Sequence, residues 1–436
     1  MSPVDAAWFR MDPAHPADII SVMALDGAVD EAELRAMLEQ RLVPRPRFRR
    51  RIVESPGAMT PPRWEDEPGF SLDAHLRRVS LAAPGGEAEF LALLNQLAND
   101  PLEFGRSPWR IWLVDGSPAG SILVIHLHHC MGDGFALLGV LLSLTDLAPG
   151  GPPAAARFAS PLEHEPARHR LGRALATARR IERGLLDFGH LVSLPFDPAT
   201  RLRGKPLGER RLAWSTGIEV SRVKALARER AATINDVLMA ALAGALRQYL
   251  LDHGDEPRGL RAIVPVNLRP AGEPLDEEHG NWFGLVWADL PVAEPDREAR
   301  LADVVATMAR IKSSEEAAVS LAVMGALGRS PGVVERVADE LFARKGTLVV
   351  TNVPGPRQPL YLVGHRIRDM MFWAPHPSGL ACGASILSYA GTVRVGIRSD
   401  AAVVQDPELL ARHFDDEFVA WERESSERKA APPRGE

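Results

Sequence analysis

The apolar positions of this chain switch between helical and strand-like spacing. Glu31–Gln40 and Ala88–Asn99 carry the three-to-four-residue spacing of a helix with one buried face. Arg49–Glu54 reads as the start of a strand. Trp109–Val114 and Ile122–Ile125 are short apolar runs of the kind a buried strand needs, and Phe135–Leu144 then returns to a core helix. From Arg210 onward the alternation resumes. Helices are expected at Ser221–Arg230, Ile234–Asp252, Arg297–Lys312, Val333–Arg344 and Pro407–Arg423. Strands are expected at Ala262–Val266, Leu285–Leu290, Leu348–Thr351, Asp369–Trp373, Ala384–Tyr389 and Thr392–Arg398. Thr233 or Asn235 can cap the helix that follows them.

Such mixing implies a layered α/β (α+β) fold. The stretch Pro149-Gly-Gly-Pro-Pro-Ala-Ala-Ala has linker composition. After it, Leu171, Leu175, Ala178, Ile181, Leu185 and Phe188 recur at helical spacing, with Arg173, Arg179, Arg180 and Arg183 between them. The expected division is an N-terminal half at 1–145, a linker and connecting helix at 146–209, a C-terminal half at 210–422 and a frayed tail at 423–436. The basic helix could pack its apolar stripe between the halves or lie on a lipid surface; lacking a Trp anchor, it favours packing.

Composition narrows the class. The 436 residues are 46% hydrophobic and 25% charged, ample for a large core, and the net charge of −6 argues against nucleic acid as a partner. Two cysteines, Cys130 and Cys382, exclude a disulfide scaffold and fit a reducing cytosol. The N-terminus has no basic region followed by an apolar one, so no signal peptide is expected. The apolar runs stop short of the ~18–20 residues of a spanning helix.

The chemistry concentrates in Val124-Ile-His-Leu-His-His-Cys-Met-Gly-Asp-Gly-Phe-Ala. His128 and His129 are followed, after three residues, by Asp133 and Gly134. Chance matches to this HHxxxDG pattern come to roughly two per thousand chains of this length. One reading is general base catalysis, with a near-neutral imidazole taking the proton of a hydroxyl as it attacks an acyl carbon. Neighbours in a strand point opposite ways, so one histidine faces the substrate unless the chain turns. Asp133 then orients the loop by an ion pair or caps the next helix, and Gly134 eases the chain into it. A second reading is a metal site on His126, His128 and His129, although the spacing matches no helix-borne zinc signature. A third is a pair of structural histidines. Cys130 reads better as a space-filling apolar residue than as a nucleophile. No GxSxG, GxxxxGK[ST] or dinucleotide GxGxxG signature is present.

HHxxxDG is the hallmark of the CoA-dependent acyltransferase superfamily, which includes chloramphenicol acetyltransferase, carnitine acyltransferases and the condensation domains of peptide synthetases. The chain resembles, more narrowly, the bacterial wax ester synthase/acyl-CoA:diacylglycerol acyltransferase family. The likeness rests on blocks in order: Met1-Ser-Pro-Val-Asp-Ala-Ala-Trp-Phe, Val43-Pro-Arg-Pro-Arg-Phe-Arg-Arg-Arg, Pro101–Gly116, HHxxxDG, Thr233-Ile-Asn-Asp-Val-Leu-Met-Ala-Ala, Pro265-Val-Asn-Leu-Arg and Thr351-Asn-Val-Pro-Gly-Pro. It covers about residues 1–422.

The resemblance implies two chloramphenicol-acetyltransferase-like halves with a tunnel between them. It implies transfer of a fatty acyl group from acyl-CoA, a co-substrate rather than a bound cofactor, to diacylglycerol or a long-chain alcohol. His129 would be the general base with His128 beside it. Asp133 would point away and pair with an arginine, Arg49 first, with Arg47 and Arg269 as alternatives. Asn235 and Asp236 match a second motif with a structural role. Asn235, Asn352 or backbone amides could supply the oxyanion donor, and Lys205, Arg210 and Arg211 are basic residues near the junction, read as a solvated loop. A cytoplasmic enzyme at the inner face of the membrane or on lipid droplets is expected. The same fold could instead serve a carrier-bound donor, a different acceptor, or lipid binding without turnover.

Overall fold

The computed structural model describes the chain except residues 12–16, 55–59, 61, 155–188, 190–192, 269–280, 328–339, 342, 377–378 and 431–436. The apolar helix expected at 171–188, most of the one expected at Val333–Arg344, and Arg269 lie outside the described residues. No described helix is long and apolar enough to cross a membrane.

The first half is built on a six-stranded sheet. Helix α1 (Pro3–Met11) precedes β1 (Asp18–Leu25); α2 (Glu31–Arg41) leads through a short 3-10 turn at Pro46–Arg49 to a separate ribbon of β2 (Arg50–Val53) and β3 (Arg63–Asp66). Strand β4 (Leu76–Ser80), α3 (Glu87–Ala98), β5 (Trp109–Asp115), β6 (Ile122–His128) and α4 (Gly134–Leu144) complete it. Strand β1 was not among the expected elements. It is buried at every position but Ala24, so its sequence is a plain apolar run without alternation.

The second half contributes β7 (Arg210–Trp214), β8 (Ile218–Glu219), α5 (Val220–Glu229), α6 (Ile234–Asp252), β9 (Leu260–Asn267), β10 (Phe283–Leu290), α7 (Arg297–Ser313), α8 (Glu316–Leu327), β11 (Leu348–Pro354), β12 (Tyr361–Leu362), β13 (His365–Trp373), β14 (Cys382–Tyr389), β15 (Thr392–Asp400) and α9 (Pro407–Ala430). Its sheet runs β10-β9-β11-β14-β15-β7, with β8 also on β15. Helix α6 is apolar nearly all round and lies in the core of this half. Thr233 caps it, and the Asp236 carboxylate accepts from the Thr233 amide at 2.8 Å in return. The structural role expected of Asp236 is this capping box.

The halves are not divided where the linker composition suggests. Strands β12 and β13 leave the second half and complete the first sheet in the order β12-β13-β1-β6-β5-β4. Gly396 in β15 makes room for the crossing strand: a Cβ there would sit 2.5 Å from the Met371 methyl. Trp373 Nε1 donates to the Ala213 carbonyl at 3.0 Å across the same contact. The edge strand β7 is covered by α3: Asn95 accepts from the Leu212 amide at 2.7 Å and Asn99 from the Arg210 amide at 2.8 Å. The tail expected to fray from 423 instead stays helical to Ala430. Arg297 holds Glu424 at 2.6 Å and Arg230 holds the Ser425 hydroxyl at 2.9 Å.

Candidate active site between the two halves

Strand β6 delivers the histidine pair. Its last residue, His128, lies opposite Asp18 of β1, and the chain then tightens into a single 3-10 turn, His129–Met131. That turn aims the two imidazoles differently. His128 Nδ1 accepts the Cys130 amide at 3.1 Å, and its ring meets the Phe104 ring edge-on. The His129 amide donates to the Ala17 carbonyl at 2.8 Å. Its ring stacks on Trp8 of α1, centroids 4.1 Å apart, and meets Phe283 of β10 edge-on. His129 is only 7% exposed and lines the cavity between the halves. Burial, and then the neighbouring His128, push its pKa down to about 3, so the ring is uncharged at neutral pH.

Asp133 is buried and caps α4: one carboxylate oxygen accepts from the Ala136 amide at 2.9 Å, and the other from the Trp282 amide of the second half at 2.9 Å. Arg49, the arginine first expected to pair with it, does not reach it. Residues two apart on a 3-10 turn point to different sides, and here Arg49 is exposed while Arg47 is buried. Arg47 is the arginine on the motif loop. It donates to the carbonyls of Cys130 at 3.1 Å and Met131 at 3.3 Å, and to Asp5 of α1 at 3.1 Å. Asp5 also receives the Asn281 amide at 3.0 Å and its side chain at 2.7 Å, and Asn281 Nδ2 donates to the His129 carbonyl at 3.0 Å. Asp5 and Asn281 were not foreseen. Asp5 sits inside the first motif block, but a single Asp in a helix gives no sign of a distant partner.

The cavity encloses about 1300 Å³ including its open mouth. Its lining is mostly apolar: Leu137, Leu138 and Leu141 of α4 on one side, Ile263, Val349 and Val353 of the second sheet on the other. Few polar side chains interrupt it. Asn352 is one, and its Nδ2 donates to Asn235 Oδ1 at 2.8 Å. Asn235 thus supports Asn352 rather than lining the cavity itself. Thr351 is another; its hydroxyl is buried and has no hydrogen-bond partner among the described residues. A hydroxyl on the cavity wall with its hydrogen unused has the chemistry of an oxyanion donor.

His126 has a different task. It faces away from Leu127 and bonds Asp18, which also binds Arg210 and, at 2.8 Å, Arg398. Burial would raise the Asp18 pKa, but Arg398, Arg210 and His126 outweigh it and hold the carboxyl well below its ordinary value. The three histidines therefore do not converge on one point. Among the described residues no group of three or more His, Cys, Asp or Glu could hold a metal ion. Arg210, expected on a solvated loop, is instead buried as part of this bridge, whereas Lys205 and Arg211 are exposed. Cys130 is wholly buried in the apolar core.

With this geometry in hand, the relatives are informative. The model of the wax ester synthase/diacylglycerol acyltransferase catalytic domain matches residues 1–238, and that of the WS/DGAT C-terminal domain matches 279–421. The chain belongs to the wax ester synthase/diacylglycerol acyltransferase family. A Mycobacterium tuberculosis relative named "Probable diacyglycerol O-acyltransferase tgs1" is 29% identical over 100% of this chain and 98% of its own length. A second from the same species, Rv3087, with the same type of name, is 30% identical over 96% and 97%. The solved wax ester synthase/diacylglycerol acyltransferase of Marinobacter aquaeolei VT8 superposes with a TM-score of 0.71 at 19% identity, covering 98% of this chain and 99% of that one. A variant of the starter condensation domain of rhizomide synthetase, solved with C8-CoA, shares the fold at TM-score 0.60 and 15% identity, covering 97% and 94%. The two-half architecture is thus that of this family and of condensation domains.

Proposed function

We propose that this protein is an acyl-CoA-dependent O-acyltransferase. It moves a fatty acyl group to a lipophilic alcohol, diacylglycerol or a long-chain alcohol, with His129 as general base. The observation that carries the reading is the buried His129 imidazole on the wall of a largely apolar cavity between the halves. That wall suits alkyl chains, and a general base is what a hydroxyl needs to attack a thioester.

In the reaction, His129 takes the hydroxyl proton as the alcohol oxygen bonds to the thioester carbonyl carbon. The carbonyl electrons move onto oxygen, for which Thr351 and Asn352 on the cavity wall are candidate donors. When the carbonyl re-forms, the C–S bond breaks and the CoA thiolate leaves. The imidazolium, a strong acid because burial disfavours its charge, returns the proton to the sulfur. No covalent enzyme intermediate is needed, since the thioester is already activated. Holding both chains in one cavity supplies the proximity. Acceptors of this kind reside in membranes and lipid droplets, so we also infer that the enzyme works at such a surface.

The test is turnover of purified protein with labelled acyl-CoA and a panel of alcohols. Ester formation with lipophilic alcohols, lost in His129→Ala, supports the reading. Strict use of one short hydrophilic acceptor overturns the neutral-lipid part and leaves acyl transfer standing.

A further inference from the structure

The cavity wall along β1 is a ladder with a start and an end. Ile19, Ser21 and Met23 share one face of the strand, because side chains alternate. Their cross-strand neighbours on that face are Leu127 opposite Ile19, Phe372 opposite Ser21 and Met370 opposite Met23. All six line the cavity, which the intervening pair Val22 and Met371 also borders. The ladder starts beside the base, since the His129 amide is bonded to Ala17, the previous residue on this face. It ends at the Met23–Met370 rung: Leu25, next on the face, is fully buried and does not line the cavity.

The spacing converts to a chain length. From Ala17 to Met23 is six residues, about 20 Å at ~3.3 Å per residue, and Ser21 stands at about 13 Å. A zigzag of ~1.5 Å C–C bonds advances roughly 1.3 Å per carbon, so the end rung lies about 15 carbons from His129 and Ser21 about 10. We propose that this face of β1 and β13 is a ruler for a single extended alkyl chain. The chain runs from His129 past Ser21, whose small side chain leaves the passage open, and stops at Met23 and Met370. Methionines at the end suit a stop that yields slightly to chains of neighbouring length. The inference rests on the proposed acyl transfer for its orientation, and the chain belongs either to the acyl donor or to the alcohol.

The experiment uses the full-length protein and three variants, Ser21→Phe, Met23→Ala and Met370→Ala, each checked for an unchanged melting profile. kcat/KM is measured across acyl-CoAs from about eight to about eighteen carbons with one alcohol, then across alcohols with one acyl-CoA. A methylene that no longer fits changes kcat/KM by ~10–200-fold. Ser21→Phe should cut chains longer than about 10 carbons at least ~10-fold relative to the shortest chains. Either methionine variant should move the optimum to longer chains. A shift in the acyl series assigns the ruler to the donor, and one in the alcohol series to the acceptor. Calorimetric binding of the same acyl-CoAs and alcohols reads the ruler without turnover. Should no ester form but binding show the length break, the base assignment falls and the ruler stands. Unchanged length profiles in both turnover and binding, in folded Ser21→Phe and both methionine variants, overturn it.

Discussion

Asn281 Nδ2 donates to the backbone carbonyl of His129 at 3.0 Å, so a residue of the second half holds the turn that carries the histidine pair in the first. The same short segment supplies the Trp282 amide to Asp133 and sets Phe283 edge-on against the imidazole. Trp8 of α1 stacks on the opposite side. The surroundings of the His129 ring are therefore assembled by three elements far apart in sequence. Its low pKa follows, because those rings exclude the water that would solvate a charge.

Replacing His129 by Ala should lower kcat by the ~10²–10⁴ that a general base contributes, with little loss of fold. His128→Ala should act more weakly and through the shape of the turn, because its Nδ1 is committed to the Cys130 amide. Single-turnover assays alongside thermal melts check both. Near-native turnover in His129→Ala with a saturating acceptor would falsify the assignment.

The pH behaviour carries a definite sign. His129 is held at about 3 in the folded chain against an ordinary 6.5. Above 6.5 both folded and unfolded forms are neutral there, and the group contributes no pH dependence. Between 6.5 and about 3 the unfolded chain binds a proton that the folded chain refuses, so stability falls as pH falls. His126 and His75 are lowered too, burial being the first cause in each, and add in the same direction. Urea unfolding at pH 7 and pH 5 should show a smaller loss in His129→Ala than in the unaltered protein. In kcat/KM of the unaltered enzyme, no falling limb from this residue should appear between pH 7 and 5.

Much of this was legible in the sequence. The helices at 31–41, 87–98 and 234–252 carry their period in plain view, and the first and last also carry side-chain caps, Asp30 and Thr233. HHxxxDG marks a turn between a strand and a helix because Asp133 caps the helix entry, whereas a Cβ at Gly134 would meet open space, so the glycine expected to ease the chain is not demanded by sterics. What the sequence hides is pairing at long range. Strand β1 lacks alternation because both its faces are buried, and nothing in His365–Trp373 announces that it completes the other half's sheet. Arg47 and Arg49 are indistinguishable in Arg-Phe-Arg until the 3-10 turn buries one and exposes the other. Arg210 reads as one more loop arginine until Asp18 is found against it.

Asp133→Ala should damage stability and activity together. It removes a helix cap, usually ~0.5–2 kcal/mol, and leaves the Trp282 amide without this acceptor, ~1–3 kcal/mol more if no water replaces it. Asp133→Asn keeps one acceptor oxygen and should recover part of the loss. Melting temperature and kcat measured on both variants decide the matter. Unchanged stability with abolished activity would place Asp133 in the chemistry instead.

Asp18→Ala should be among the most destabilising single changes. It removes the carboxylate partner of Arg210, Arg398 and His126, all buried, which for a broken buried pair costs ~3–5 kcal/mol. Arg211→Ala, one residue along but exposed, is the control and should stay within about 0.5 kcal/mol of the unaltered protein. Equilibrium denaturation of the two variants provides the comparison. Equal stabilities would mean that the bridge does not hold the halves together.

Thr351→Val separates a catalytic hydroxyl from a structural one. The Thr351 Oγ1 is buried without a hydrogen-bond partner among the described residues, so their packing gains nothing from it. Its removal should leave stability unchanged or slightly raised, because an unsatisfied buried hydroxyl is a cost. If that hydroxyl meets the oxyanion, kcat should fall by ~10²–10³ with KM little altered, the pattern of a contact made only in the transition state. Asn352→Ala is the necessary companion. It should lower kcat as well, but at some expense of stability, since Asn352 also binds Asn235 at 2.8 Å. Steady-state kinetics and melting curves on the two variants distinguish the roles. A Thr351→Val enzyme of unaltered kcat would leave the oxyanion to Asn352 or to backbone amides.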